Sequence, residues 1–261
     1  MKVIIRKNYE ECAAYTAQYI AGKIKETSCI EDSPFVLGLP TGSTPLGVYK
    51  LLIEKCKNKD LSFENVVTFN MDEYVGLNKE HPQSYHYFMM TNFFNFVNIK
   101  RENINILDGM ASNLLQECAL YEQKIRKYKQ IDLFFGGVGN DGHIAFNEPG
   151  TSLASRTHIQ PLTPDTIGVN SRFFDGDESQ VPTKALTVGI GTIMDAKEVL
   201  IMACGRAKAQ AVAQAIEGAV SQMWTITALQ MHPNAILICD DDAMEEVTMK
   251  TYRYFKESEN V

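Results

Sequence analysis

One pattern recurs along this chain and leaves few folds open to it. A short run of apolar, β-type residues is followed by a corner of polar residues or glycine, then by a stretch with helical spacing of apolar side chains. The clearest instance is Pro34 to Pro40 (PFVLGLP), then Thr41-Gly42-Ser43-Thr44, then Pro45 with apolar residues at 46, 48, 49, 52 and 53. Pro45 suits the first turn of a helix, with Thr44 or Ser43 as its cap. Comparable runs lie at Val66 to Phe69, Ile131 to Phe135, Ala185 to Ile190, Val199 to Ala203 and Ala235 to Cys239. The best helical patterns between them are Asn113 to Tyr128 and Ala207 to Glu217. Near-continuous apolar strands alternating with helices predict an α/β fold, a mostly parallel sheet with helices on both faces. In such sheets ligands bind beyond the carboxyl ends of the strands, so chemistry is sought just after each run.

The chain has 261 residues, 45% apolar and 22% charged, a globular composition at a length that fits one domain with a large core. No repeat, low-complexity tract or Pro/Gly/Ser-rich linker interrupts it. Residues 1–261 therefore read as a single domain, and the Pro- and Gly-punctuated segment from about Leu162 to Lys184 as a long loop or lid. A net charge of −7 without Lys/Arg runs offers no footprint for nucleic acid or an anionic membrane. Cations that meet an anionic ligand must be few and local. The start, Met1 to Lys7, has only three apolar residues between charges, too few for the core of a signal peptide. The longest apolar runs, such as Val199 to Cys204, fall far short of the roughly 20 residues that span a bilayer. The cytoplasm is the default. Six cysteines (12, 29, 56, 118, 204 and 239) include no Cys-x-x-Cys pair and read as reduced thiols, mostly buried.

Behind the first run, Gly42, Ser43 and Thr44 precede a helix, offering free N–H groups, two hydroxyls and the positive end of the helix dipole. That set binds phosphate, although an ordinary capped helix start would look the same. Without a Gly-Lys-Ser/Thr sequence it is not a Walker loop. After the second run come Asp72 and Glu73, either of which could cap the next element, while a carboxylate at a strand end is also a natural general base. The third run ends in Gly136 to Gly150, where residues 137–142 read G-x-G-x-x-G. The dinucleotide fingerprint needs a helix opening within the motif, and Pro149-Gly150 closes the segment too soon for one. Asp141, His143 and Glu148 instead share a glycine-rich strand-end loop, an acid–base arrangement in which an acid fixes the histidine tautomer. A metal site built from His81, His86 and His143 with Asp72 or Asp141 lacks helical pair spacing and enough carboxylates, so no metal is assigned. Lys208, after a strand and at a helix start, and Arg172, in the lid segment, complete a candidate phosphate site, with Arg206 the rival of Lys208.

Six segments in the same order resemble the glucosamine-6-phosphate deaminase (isomerase) family: Leu37 to Pro45 (LGLPTGSTP), Thr68 to Gly76 (TFNMDEYVG), Gly136 to Pro149 (GGVGNDGHIAFNEP), Ser171 to Phe174 (SRFF), Ala185 to Gly189 (ALTVG) and Met223 to Thr225 (MWT). The resemblance covers nearly the whole chain. It implies a Rossmann-like α/β fold, no cofactor, and conversion of the small-molecule sugar phosphate glucosamine 6-phosphate, with water, into fructose 6-phosphate and ammonia. Carried over by position, Asp72 is the base that moves a proton between C2 and C1. His143 opens the sugar ring with Asp141 and Glu148 as partners, and Gly42, Ser43, Thr44, Arg172 and Lys208 hold the phosphate. A homo-oligomer, usually a hexamer, is implied as well.

One departure stands out. In bacterial members activated by N-acetylglucosamine 6-phosphate, two basic residues after the catalytic loop bind the activator's phosphate between subunits. Here the effector-site positions are Thr151, His158, Gln160 and Tyr254, and neither His158 nor Gln160 supplies a fixed cation. Weak or absent activation is the expectation. Two other readings are a 6-phosphogluconolactonase-like hydrolase, which needs no base at Asp72, and a sugar-phosphate-sensing regulator, which would carry a DNA-binding extension that this chain lacks.

Overall fold

A computed structural model describes residues 1–28 and 33–258; Cys29 lies outside them. The strands are β1 (Lys2–Arg6), β2 (Phe35–Leu39), β3 (Val66–Asn70), β4 (Asp72–Tyr74), β5 (Ile104–Asn105), β6 (Leu133–Gly137), β7 (His158–Pro161), β8 (Lys184–Thr187), β9 (Glu198–Ala203) and β10 (Ala235–Asp240). The helices are α1 (Tyr9–Ser28), α2 (Leu46–Lys57), α3 (Tyr85–Asn92), α4 (Leu114–Lys127), α5 (Pro164–Asn170), α6 (Ile190–Met194), α7 (Ala209–Glu217) and α8 (Met249–Ser258). Seven strands form one sheet in the order β1-β10-β9-β6-β2-β3-β5, with every neighbouring pair parallel.

Successive residues of a strand face opposite sides of a sheet, and here both sides are covered. Ile4, Leu37, Leu39, Phe135, Leu200 and Ile238 pack against apolar residues of α1 and α2. Their neighbours Ile5, Val36, Phe134, Val199, Ile201 and Leu237 pack with residues of α4, α6 and α7. This two-sided burial is why the runs are apolar throughout. Gly38 sits within β2 because a Cβ there would come 2.6 Å from the Phe134 ring.

Two expectations are corrected. The run Ala185 to Ile190 does not join the parallel sheet: its strand, β8, lies in a second, antiparallel sheet of order β4-β8-β7. β-type composition marks a strand without naming its partner, and here the partner is β4, the continuation of β3 beyond Met71. Nor does a hydroxyl cap α2. Pro45 itself is the capping residue, with no side-chain bond, and the Gly47 N–H donates to the Tyr9 hydroxyl at 2.8 Å. Residues 162–184, read as a long loop or lid, contain α5 and two 3-10 turns, and Leu162, Phe174 and Val181 form a small core with Tyr74, Phe146 and Ala185. Cys12, Cys118 and Cys239 are buried and Cys56 and Cys204 half-buried, all five as free thiols. No described helix is long and apolar enough to cross a membrane.

Candidate active site

The carboxyl ends of β2, β3, β6 and β9 open into a cleft of about 1120 Å³. Asp72, Asp141, His143, Arg172, Lys208 and the turn at residues 41–44 all contribute to its wall.

Asp72 stands where the chain passes from one sheet to the other. The Met71 N–H donates to the Leu39 carbonyl at 3.2 Å, and the Val188 N–H donates to the Met71 carbonyl at 2.8 Å. Asp72 then opens β4 opposite Thr187, only 6% exposed, and its Oδ1 is buried without a hydrogen-bond partner. Burial, reinforced by the charge of Glu73, pushes its carboxyl well above the usual range. Glu73 has the other fate available to a strand-end acid. Its Oε1 accepts from the Tyr74 and Tyr85 N–H groups at 2.8 and 2.9 Å, and its Oε2 from the His86 N–H at 2.9 Å. It caps α3 together with Ser84, a task that Asp72 does not share.

No helix opens within the glycine-rich loop after β6, as the rejection of a dinucleotide fingerprint requires. A Cβ on Gly139 would lie 2.5 Å from the His143 ring, so glycine there is what admits the imidazole. His143 Nδ1 lies 2.7 Å from Asp141 Oδ1 and 3.7 Å from Glu148 Oε2. The short approach is off the ring N–H direction, and Nδ1 is buried without an aligned partner. Burial would raise the Asp141 carboxyl, but contact with His143 outweighs it and holds the group below its usual value. Between them Ala145 adopts a left-handed φ of 53°, which turns the chain back and brings Glu148, 2% exposed, to the histidine. The loop is anchored below: Asn147 Nδ2 donates to the Val188 carbonyl at 2.8 Å, and the Thr225 hydroxyl donates to the Asn147 carbonyl at 3.2 Å. Thr225 was legible only as part of the MWT segment, with no task attached.

Ligand atoms of Asp141, His143 and Glu148 lie within 4.8 Å of one another, which raises the question of a metal. Ligands at about 2.0–2.2 Å from one ion stand about 3 Å apart or more. The 2.7 Å contact of His143 with Asp141 is closer than that spacing. His81 and His86 serve local turns instead: His81 Nδ1 accepts from the Gln83 N–H at 3.1 Å, and His86 Nδ1 lies 3.1 Å from the Lys79 carbonyl.

On the other side of the cleft, Gly42 takes a left-handed φ of 88°, a glycine conformation that turns β2 towards α2. Thr44 Oγ1 lies 3.4 Å from where a Cβ on Gly137 would be, so glycine leaves that hydroxyl room. Lys208 Nζ donates to Asn140 Oδ1 at 2.7 Å. Burial and the neighbouring Arg172 lower its pKa to about 8, against the opposing pull of Asp141. The Arg172 guanidinium stacks over the Phe173 ring at 4.7 Å. Arg206 instead pairs with Glu245 at 3.0 Å, is 83% exposed and lies outside the cleft wall that Lys208 joins. The four effector-site positions lie outside the cleft wall. On β7, His158 Nε2 is 3.1 Å from Gln160 Oε1 and Nδ1 is 2.8 Å from the Arg156 carbonyl. Thr151 donates its N–H to the Glu148 carbonyl at 3.0 Å, and Tyr254 is exposed on α8.

Known proteins share this architecture. A family profile described as glucosamine-6-phosphate isomerases/6-phosphogluconolactonase matches residues 7–238. The glucosamine-6-phosphate deaminase of Treponema denticola is 62% identical over 259 residues, 99% of this chain and 96% of its own. That of Parabacteroides distasonis is 58% identical over the same shares. Among solved structures, a monomeric glucosamine-6-phosphate deaminase superposes with a TM-score of 0.90 at 40% identity, covering 94% of this chain and 100% of that one. The 6-phosphogluconolactonase of Trypanosoma cruzi, at 18% identity and a TM-score of 0.74 over 95% of this chain and 97% of its own, shares the fold. The chain thus belongs to the family of glucosamine-6-phosphate isomerases and 6-phosphogluconolactonases, on the side of the glucosamine-6-phosphate deaminases.

Proposed function

We propose that this cleft converts glucosamine 6-phosphate and water into fructose 6-phosphate and ammonia. The observation that carries the reading is Asp72, a buried carboxylate with an unpartnered oxygen, sharing one cleft with Asp141, His143 and a cationic, hydroxyl-rich cradle, with Glu148 beside the histidine. Arg172, Lys208 and the turn at Gly42, Ser43 and Thr44 hold the phosphate. His143, with Asp141 and Glu148 at its Nδ1, takes the anomeric proton and returns one to the ring oxygen, opening the sugar. Asp72 removes the proton from C2 and delivers it to C1 of the resulting enolamine, a transfer that suits a carboxylate whose basicity burial has raised. The product carries a C2 imine. Water adds there, ammonia leaves, and the ketone of fructose 6-phosphate remains. No step calls on a cofactor.

A lactonase would use only a water-activating histidine, and a buried carboxylate that does nothing is expensive to keep. The test is ammonia release from glucosamine 6-phosphate by the wild type and by Asp72→Asn. The wild type should release it, and the variant should be about 10²–10⁴-fold slower. Silence from the wild type, or full activity in the variant, overturns the reading. We further propose that residues 162–184 act as a lid over this cleft, since Val169, Arg172 and Phe174 contribute to its wall. We place the enzyme in the cytoplasm and expect it to assemble as a homo-oligomer.

A further inference from the structure

The turn that joins β2 to α2 has three hydroxyl side chains, Thr41, Ser43 and Thr44, yet none caps the helix. A tyrosine does that work from outside. Tyr9, the first residue of α1, places its hydroxyl so that it accepts the Gly47 N–H at 2.8 Å and donates to the Thr44 carbonyl at 3.0 Å, with the Ser43 carbonyl at 3.4 Å. One hydroxyl thus ties both ends of the turn, and the approach exists because residue 47 is glycine: a Cβ there would sit 2.9 Å from the Tyr9 oxygen. With the first-turn N–H and the Ser43 and Thr44 carbonyls held from below, the hydroxyls of Ser43 and Thr44 need not fold back onto the helix. Both residues line the cleft that Tyr9 itself borders together with Lys208.

We propose that Tyr9 is a positioning residue for the phosphate cradle: it locks the turn at residues 43–47 in the conformation that binds the substrate's phosphate. This rests on the phosphate assignment made above. A cradle that orders before the ligand arrives spends less of the binding energy on ordering. The gain falls on binding, in ground and transition states alike, and so on KM.

The test compares Tyr9→Phe with the wild type in full-length protein. For Tyr9→Phe, KM for glucosamine 6-phosphate should rise about five- to thirty-fold, the equivalent of one lost hydrogen-bonding hydroxyl. At the same time kcat should hold within about twofold. Binding of inorganic phosphate, read by thermal shift, should weaken by the same factor as KM. Gly47→Ala, which crowds the hydroxyl without removing it, should move KM and phosphate binding in the same direction and serves if Tyr9→Phe folds poorly. Tyr19→Phe, which removes another α1 hydroxyl, one bonded to Glu198 away from the cleft, should leave KM and phosphate binding unchanged. Unchanged KM and phosphate binding in Tyr9→Phe, or a fall in kcat alone, would overturn the proposal. Phosphate binding needs no sugar chemistry, so it still judges Tyr9 if ammonia release were to fail.

Discussion

At neutral pH an ionised carboxylate 6% exposed, with one oxygen unpartnered, costs the fold stability that its neighbours must supply. The sign for Asp72 follows from its raised pKa. The folded protein holds that proton more tightly than the unfolded chain, so the site favours folding below the unfolded value, roughly pH 4. That contribution is lost as the pH climbs through the folded value. Asp72→Asn should therefore slow turnover by about 10²–10⁴-fold yet raise stability at pH 7 by about 1–2 kcal/mol, roughly 3–6 °C in melting temperature. The difference from the wild type should shrink towards pH 4, which calorimetry across pH would show. Lys208 carries the opposite liability: with its pKa lowered to about 8, it loses its charge just above neutral pH. KM for the sugar phosphate should climb above pH 8 while kcat changes little, and Lys208→Met should remove that limb of the KM profile. None of this separates Asp72 from Glu73 in the sequence, where two neighbouring acids follow one strand. The difference is three backbone N–H groups, supplied to Glu73 from its own residue's successor and from a helix that starts twelve positions later.

Among the elements, Glu73 tells how α3 is held. Glu73→Ala leaves three N–H groups without an acceptor and should cost about 2–4 kcal/mol in urea unfolding, opposite in sign to its neighbour Asp72→Asn in the same assay. Five of the seven main-sheet strands were legible because double-sided burial writes itself as unbroken apolar runs, and α4 and α7 because their apolar spacing is helical; β1 and the two-residue β5 were not among those runs. What was not legible depends on partners remote in the chain. The strand at 184–187 pairs with residues 72–74, more than a hundred positions earlier, and the capping hydroxyl of α2 comes from Tyr9 on another helix. The loop at 136–150 was readable because its residues are consecutive: glycine, acid, histidine and acid all lie within one short segment.

For the whole molecule, the net charge of −7 means that an anionic substrate meets an unfavourable field, and in the proposed site capture falls on Arg172, Lys208 and the helix start. Activation by a second phosphate ester would need fixed cations of its own. The proposed effector positions offer instead a His158–Gln160 contact at 3.1 Å, two groups turned on each other. Saturating N-acetylglucosamine 6-phosphate should leave the dependence of rate on glucosamine 6-phosphate hyperbolic and unmoved; a sigmoidal curve that the effector straightens would contradict this. The bond from the Met71 N–H to the Leu39 carbonyl has a further consequence. It joins the strand end that leads to the phosphate turn to the strand end that carries Asp72, so the span between anchor and base is set by two adjacent strands of a rigid sheet. With the phosphate and the base as proposed, the protein works as a ruler: a sugar phosphate one carbon shorter would be gripped by its phosphate and would leave its acidic carbon out of reach of the carboxylate.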